Sequence, residues 1–217
     1  MKTIEECERF LAEVGLATVL PGKAALLPCL LWAAQGHRGP FSGADAAFQN
    51  IWNWKDELPA RRLAWAGRLL GSQVVLVHVG LLPALVGARG PLEVEELYEE
   101  GGLSAPAFQL WRHLSSCRGA VGRKELRNAL NLGHKAGAAT FDRACRDLER
   151  LLVLTRSGSA PQTQGWDSNS YALVERHFPD LTPLPHASAR VRVREALEKA
   201  APEASKAQVQ RWLSQLS

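Results

Sequence analysis

The amino-acid sequence predicts a mainly α-helical protein with a small β component. Two observations support the helices: apolar residues recur three and four positions apart in most segments, and capping residues precede several of them. The third observation supports two strands: near residues 152–174, two short apolar stretches flank a polar one. The chain has 217 residues, 46% of them hydrophobic and 22% charged, so it is an ordinary globular chain with room for one large or a few small domains.

Residues 1–100 are predicted to form an N-terminal helical region. Thr3 and Glu6 have the spacing of a capping box, and the helix that they begin is expected to run to about residue 14. Pro59 is expected to start a later helix, since proline is favoured in the first turn. Helices are predicted at 26–34 and 59–70, a surface turn is expected at Asp56 and Glu57, and a strand, with helix left open, at 73–79.

Tryptophan is concentrated in this N-terminal region. The chain has seven tryptophans, and four of them lie here: Trp32, Trp52, Trp54 and Trp65. Trp52 and Trp54 lie within nine residues of Arg61 in the sequence. Tryptophan beside arginine is typical of a surface that stacks on a nucleobase. These three residues are therefore a candidate pocket for a base or a DNA lesion, and the alternative is an ordinary aromatic core.

Residues 103–176 predict a winged helix-turn-helix. Ser104 is a candidate N-cap for a helix through Ser116, and a second short helix is expected from Ala120 to Leu130. After a turn at Gly133, apolar residues at spacings of four, three and four predict a helix from about 136 to 152. Strands are predicted at 152–154 and 171–174, around a polar loop that contains Trp166. Two strands around a loop, directly after a basic helix, are the pattern of a wing.

This module carries the candidate DNA-binding residues. The second helix of such a motif enters the major groove, and the start of a helix also favours a phosphate. The candidates are the cations and polar residues of its two helices and turn: Arg123, Lys124, Arg127, His134, Lys135, Thr140, Arg143 and Arg146. The alternatives are a solvated helix face that binds nothing and a winged helix that binds protein.

Residues 186–217 predict a C-terminal pair of helices. The first is expected from Ala187 to Ala200, and Ser205 is the candidate cap of the second. The pair resembles an incomplete second helix-turn-helix, and it is expected to pack back on the centre or to form a dimer contact.

Composition excludes several classes of function. The net charge of +4 is mildly basic and compatible with a nucleic-acid partner. The four cysteines are scattered, and the sequence has no Gly-rich phosphate loop, no His-Glu-x-x-His motif and no acidic metal loop, so we expect no metal and no cofactor. No signal peptide or membrane span is apparent, and we expect a cytoplasmic protein.

A longer stretch of sequence resembles a known family. The segment Ile51–Pro59, with the letters IWNWKDELP, is followed by Arg61 and Gly67–Leu70. Together with Leu81–Pro83, Leu97–Gly101 and the module from Lys124 to Leu148, it resembles bacterial proteins related to the AlkZ/YcaQ interstrand-crosslink DNA glycosylases. The resemblance spans roughly residues 3 to 200.

The resemblance implies DNA binding but not hydrolysis. The glycosylases of that family have tandem winged helices followed by a β-barrel, and a catalytic Gln, an apolar residue, then Asp or Gln. This chain is much shorter, and its one matching triplet, Gln208-Val209-Gln210, lies on a terminal helix outside the expected context. We therefore expect a protein that binds double-stranded DNA in repair or its regulation, with no assigned catalytic residue. A divergent glycosylase or lesion-recognition protein, and a protein-interaction module, stay open, as does a homodimer.

Overall fold

The computed structural model describes residues 1–22, 26–71, 73–160 and 168–216. Across these ranges the chain is mostly helical, with two three-stranded antiparallel sheets. The helices are α1 (Ile4–Val14), α2 (Leu30–Gln35), α3 (Ala46–Ala60), α4 (Leu82–Arg89), α5 (Val94–Glu99), α6 (Ala105–Ser116), α7 (Arg123–Ala129), α8 (Gly137–Arg150), α9 (Val174–His177), α10 (His186–Ala200) and α11 (Lys206–Ser214). The strands are β1 (Leu16–Thr18), β2 (Ala64–Gly67), β3 (Val75–His78), β4 (Val121–Gly122), β5 (Leu154–Ala160) and β6 (Ser168–Leu173).

The first unit runs α1, β1, α2, α3, β2, β3, and its sheet has the order β1-β3-β2. Val77 at the centre pairs with Leu16 on one side and with Trp65 on the other. The Thr3 side chain accepts a hydrogen bond from the Glu6 amide, which confirms the predicted cap of α1. The N-terminal region is therefore not purely helical, because a buried sheet joins its helices.

The predicted helix at residues 59–70 is wrong. Pro59 lies in the last turn of α3, and the chain then turns at Arg62, whose φ is 61°, into strand β2. All four residues of β2 are buried, since helices and the second unit cover both of its faces. A strand buried on both faces shows no alternation of apolar and polar residues, so its sequence is easily read as a helix.

The second unit repeats the element order of the first. It runs α6, β4, α7, α8, β5, β6, and its sheet has the order β4-β6-β5. The predicted helix from Ala120 begins instead with strand β4, which pairs with β6. Strands β5 and β6 extend into the predicted polar loop, while Trp166 lies outside the described residues.

The two units meet where β2 and α3 pack against β5. The buried Trp65 indole Nε1 donates to the Leu154 carbonyl at 3.1 Å. The Thr155 hydroxyl accepts from the Ala66 amide at 3.2 Å, so one side chain of β5 satisfies a backbone donor of β2. These bonds fix the second unit against the first.

The C-terminal helices complete the core of the first unit. Helix α10 packs closely on α4, and Ala189, Val193 and Leu197 are buried there. Gly87 in α4 permits this approach, because a Cβ at that position would lie 2.1 Å from the Leu184 carbonyl oxygen. Helix α11 follows a cap at Ser205, as predicted. None of the described helices has the length and apolarity that a bilayer crossing requires.

Candidate nucleic-acid interface

Helix α8 separates an apolar face from a polar one. Phe141, Cys145 and Leu148 are fully buried against the rest of the second unit, as their spacing predicts. The residue at its N-cap, Ala136, supplies no side-chain hydrogen bond, so the amides of the first turn are not capped by a side chain. The amides of Gly137 and Ala138 donate instead to the carbonyl oxygens of His134 and Lys135, at 3.1 and 3.3 Å.

Five of the predicted DNA-binding residues are exposed on this part of the surface: Lys124, His134, Lys135, Thr140 and Arg143. Lys124 lies in the first turn of α7, His134 and Lys135 lie in the turn, and the other two lie on α8. Their side chains make no hydrogen bond or ion pair with any other described residue. A cation without a carboxylate partner keeps its full charge available to an anionic ligand.

Arg123 points inwards instead. Its guanidinium donates to the Asp142 carboxylate and lies over the Phe141 ring, 5.2 Å from the ring centroid. Burial by itself would raise the pKa of Asp142, but the hydrogen bond and charge of Arg123 outweigh it and hold that pKa below its ordinary value. Arg123 thus joins α7 to α8 and pairs with the carboxylate of Asp142.

Arg127 organises the turn between α7 and α8. Its guanidinium donates to the carbonyl oxygens of Leu132, Gly133 and His134, at 3.0, 3.2 and 2.8 Å. The turn also needs Gly137, because a Cβ there would lie 2.6 Å from the Leu132 carbonyl oxygen. Arg127 therefore holds the conformation of the turn that leads into α8.

Arg146 is half-buried on α8. Its Nε is shielded from solvent and has no hydrogen-bond partner among the described residues. The eight predicted candidates thus divide into five exposed side chains and three, Arg123, Arg127 and Arg146, that are partly buried in the unit.

A cleft of about 470 Å³ lies between the two units. Trp52 and Lys55 of α3 line it from the first unit, and Arg123 and Arg156 line it from the second. The remaining lining residues are apolar or neutral: Val19, Leu20, Gln73, Val74, Ser168 and Asn169. Most of these positions are far apart in sequence, so spacing gave no signal for them.

The structure does not bring the three residues of the predicted base pocket together. Trp52 lines the cleft, but Trp54 is 7% exposed and packs in the core of the first unit. Arg61 forms an ion pair with Glu57 one turn earlier, outside the cleft lining.

The cations of the cleft are held by carboxylates. The Lys55 Nζ contacts both oxygens of Asp56 at 2.7 and 2.8 Å, and it lies 4.4 Å from the Trp52 ring centroid. Arg156 Nε donates to Glu149 at 3.0 Å, and within the described residues its terminal nitrogens make no hydrogen bond. These terminal nitrogens are available as donors to a ligand in the cleft.

The Gln208-Val209-Gln210 triplet is not part of the cleft lining. Gln208 and Gln210 lie on α11, which packs with α10 on the first unit, and Gln208 accepts a hydrogen bond from Arg211. In the described ranges, no three His, Cys, Asp or Glu side chains are close enough together to hold a metal ion.

Comparison with known proteins identifies the family. Neither the curated proteins nor the solved structures include a significant match to this chain. A family model described as AlkZ related matches residues 1–214, nearly the whole chain. The chain therefore belongs to the AlkZ-related family.

Proposed function

We propose that this protein binds double-stranded DNA through a winged helix-turn-helix formed by residues 105–173. The element order of helix, strand, helix, helix, strand, strand supports this interpretation, with α8 as the recognition helix and β5 and β6 as the base of the wing. The observation that carries the proposal is the set of exposed, unpaired polar and cationic side chains on α7, the turn and α8. Membership of the AlkZ-related family supports a role in DNA repair or its regulation.

The proposed contacts have different roles. Lys124 lies in the first turn of α7, and His134 and Lys135 lie in the turn before α8, where all three would contact phosphates. Thr140 and Arg143 lie further along α8 and would reach base edges in the major groove. Arg123 and Arg127 would act indirectly, by holding the two helices and the turn.

The test is duplex binding measured by fluorescence anisotropy at about 50 and about 200 mM salt. The double variant Lys135→Ala/Arg143→Ala removes two phosphate or base contacts, so we expect weaker binding and a shallower dependence of log affinity on log salt. Arg194→Ala/Lys199→Ala, which removes two exposed cations of α10, is the control for loss of charge alone. Equal affinity of the double variant and the control would contradict the proposal, and no binding by wild type would favour a protein-interaction module.

A second candidate function, lesion recognition, is favoured by the cleft between the units. The cleft combines four apolar residues, one of them aromatic, with six polar or charged ones, and about 470 Å³ is sufficient for one nucleotide. Trp52 would contact the base, while Arg156 and Lys55 would bind its phosphate or the edge of the ring.

A lesion preference is measured by comparing duplexes with and without an alkylated base in the same sequence. Lesion recognition predicts tighter binding to the alkylated duplex, and Asn169→Leu in the cleft should reduce that preference without changing binding to plain DNA. Equal affinity of wild type for both duplexes would contradict this function. Abasic sites formed by wild-type protein would identify a glycosylase.

A further inference from the structure

Three aromatic rings form a continuous stack on the outer side of the first unit. Phe41 stacks on Phe48 with centroids 5.5 Å apart and 11° between the ring planes. Phe48 stacks on Trp52 in the same way, at 5.5 Å and 15°. Lys55 covers Trp52 at the far end. We call Phe41, Phe48 and Trp52 the aromatic ladder.

The ladder follows from helix spacing and from a fixed loop. Phe48, Trp52 and Lys55 are four and three residues apart on α3, so they share one face. The loop before α3 brings Phe41 onto the same line. Gln35 Nε2 donates to the Pro40 carbonyl at 3.4 Å, and the Ser42 amide donates to Asp45 Oδ2 at 2.7 Å.

The outer end of the ladder is open. Phe41 is 41% exposed, and Phe48 is its one ring partner among the described residues. One face of the Phe41 ring is therefore available to a further flat, aromatic group.

Cations lie at the inner end of the ladder, where Lys55 covers Trp52, and in the loop that precedes Phe41 in sequence. The Arg38 guanidinium lies over the Trp32 ring at 5.3 Å, and His37 beside it is exposed. The two carboxylates between residues 30 and 56, Asp45 and Asp56, are both already hydrogen bonded. Aromatic rings interleaved with cations are the features that bind single-stranded nucleic acid.

The inner end of the ladder leads to the cleft. Trp52 and Lys55 belong both to the ladder face and to the cleft lining, where Arg123 and Arg156 face them from the second unit. The ladder and the cleft thus share Trp52 and Lys55, with stacking at one end and the free terminal nitrogens of Arg156 at the other.

We propose that this surface binds an unpaired stretch of DNA, with a base stacked on the free face of Phe41 and the strand running along the ladder to the free terminal nitrogens of Arg156 in the cleft. This proposal rests on the proposed DNA binding and adds single-stranded DNA as a second ligand. Stacking is tolerant of sequence, because every base presents a flat face, so the surface binds a strand without reading its sequence.

The experiment compares two labelled probes by fluorescence anisotropy: a short oligothymidylate, and a blunt duplex with no unpaired end. Phe41→Ala removes the stacking face on an exposed loop, and we expect roughly tenfold weaker binding of the oligothymidylate with little change for the blunt duplex. Phe41→Trp keeps a flat ring and should retain binding. Val191→Ala, at an apolar residue that is 52% exposed on α10, is the matched control.

The outcomes separate this proposal from the duplex-binding proposal. Oligothymidylate binding that Phe41→Ala leaves unchanged, or no binding of it by wild type, would overturn the ladder proposal even if the duplex binds. Loss of oligothymidylate binding in Phe41→Ala, together with no binding of the blunt duplex, would support the ladder and overturn binding through α8. A thermal melt of each variant shows whether the fold is intact.

Discussion

Glu149 and Arg156 form a buried ion pair at the joint between the two units. Arg156 Nε lies 3.0 Å from Glu149 Oε1, and the Glu149 side chain has no exposure to solvent. The other carboxylate oxygen of Glu149 accepts the Arg68 amide at 3.0 Å, just after β2. The Glu149 carboxylate therefore connects α8, the proposed recognition helix, with the chain that follows β2 in the first unit.

Loss of the Glu149 charge should lower the free energy of unfolding of the protein. Glu149→Gln keeps the shape but leaves Arg156 buried without its counter-charge, and we expect a loss of about 3–5 kcal/mol in the free energy of unfolding. Urea denaturation measures this loss. Glu195→Gln removes an exposed pair with Arg192, and its cost should stay below about 1 kcal/mol. Equal effects of the two substitutions would contradict the role of Glu149.

Thr155 should contribute through its hydroxyl more than through its methyl group. In Thr155→Val the side chain keeps its shape, but the buried Ala66 amide loses its acceptor, which costs about 1–3 kcal/mol. Thr155→Ser keeps the hydroxyl and serves as the control. If denaturation shows the serine variant to be the less stable of the two, packing of the methyl group is the larger effect.

Arg127 should affect DNA binding through the turn that it holds. Arg127→Ala removes hydrogen bonds to three carbonyl groups, so we expect a loss of about 1–3 kcal/mol in stability together with weaker duplex binding. Lys124→Ala, three residues earlier and exposed, should weaken binding without changing the melting temperature. A fully stable Arg127→Ala with weakened binding would instead identify Arg127 as a direct contact.

The thiols should differ sharply in reactivity. Burial raises the pKa of Cys7 to about 12 and raises that of Cys145, so neither forms a reactive thiolate near neutral pH. Cys29 is also buried, whereas Cys117 is partly exposed. We expect one fast-reacting thiol per folded chain in a colorimetric thiol assay, and its loss in Cys117→Ser. A fast reaction that persists in this variant would show that another cysteine is accessible.

His177 should make stability depend on pH. Burial lowers the pKa of His177, although the hydrogen bond to the Pro59 carbonyl, at 2.8 Å, opposes this effect. The pKa of His177 is lower in the folded than in the unfolded protein. Its contribution to the free energy of unfolding is therefore fully present above the unfolded-state pKa and is lost as pH falls through the folded-state pKa. His177→Gln keeps an amide donor and does not titrate, so its unfolding free energy should fall less on acidification than that of wild type. Parallel pH curves for the two proteins would contradict this assignment.

The sequence predicted those elements whose apolar periodicity is regular. Phe141, Cys145 and Leu148 define the buried face of α8, and Ser205 and Thr3 cap the helices that follow them. It failed at β2, because Trp65 and its neighbours are buried on both faces and show no alternation. It also placed β4 in a helix, since a strand of two residues has no period of its own.

What the sequence determined by itself is local: the helices, their caps, and the basic character of the α7–α8 segment. The tertiary structure decided which cations are available, because Arg123 and Arg127 are engaged by Asp142 and by the turn carbonyls, while Lys135 and Arg143 are not. It also decided that Trp52 and Arg156 line the same cleft. Residues so distant in sequence line one cleft only because the two units pack together, and the spacing of residues along the chain does not encode that packing.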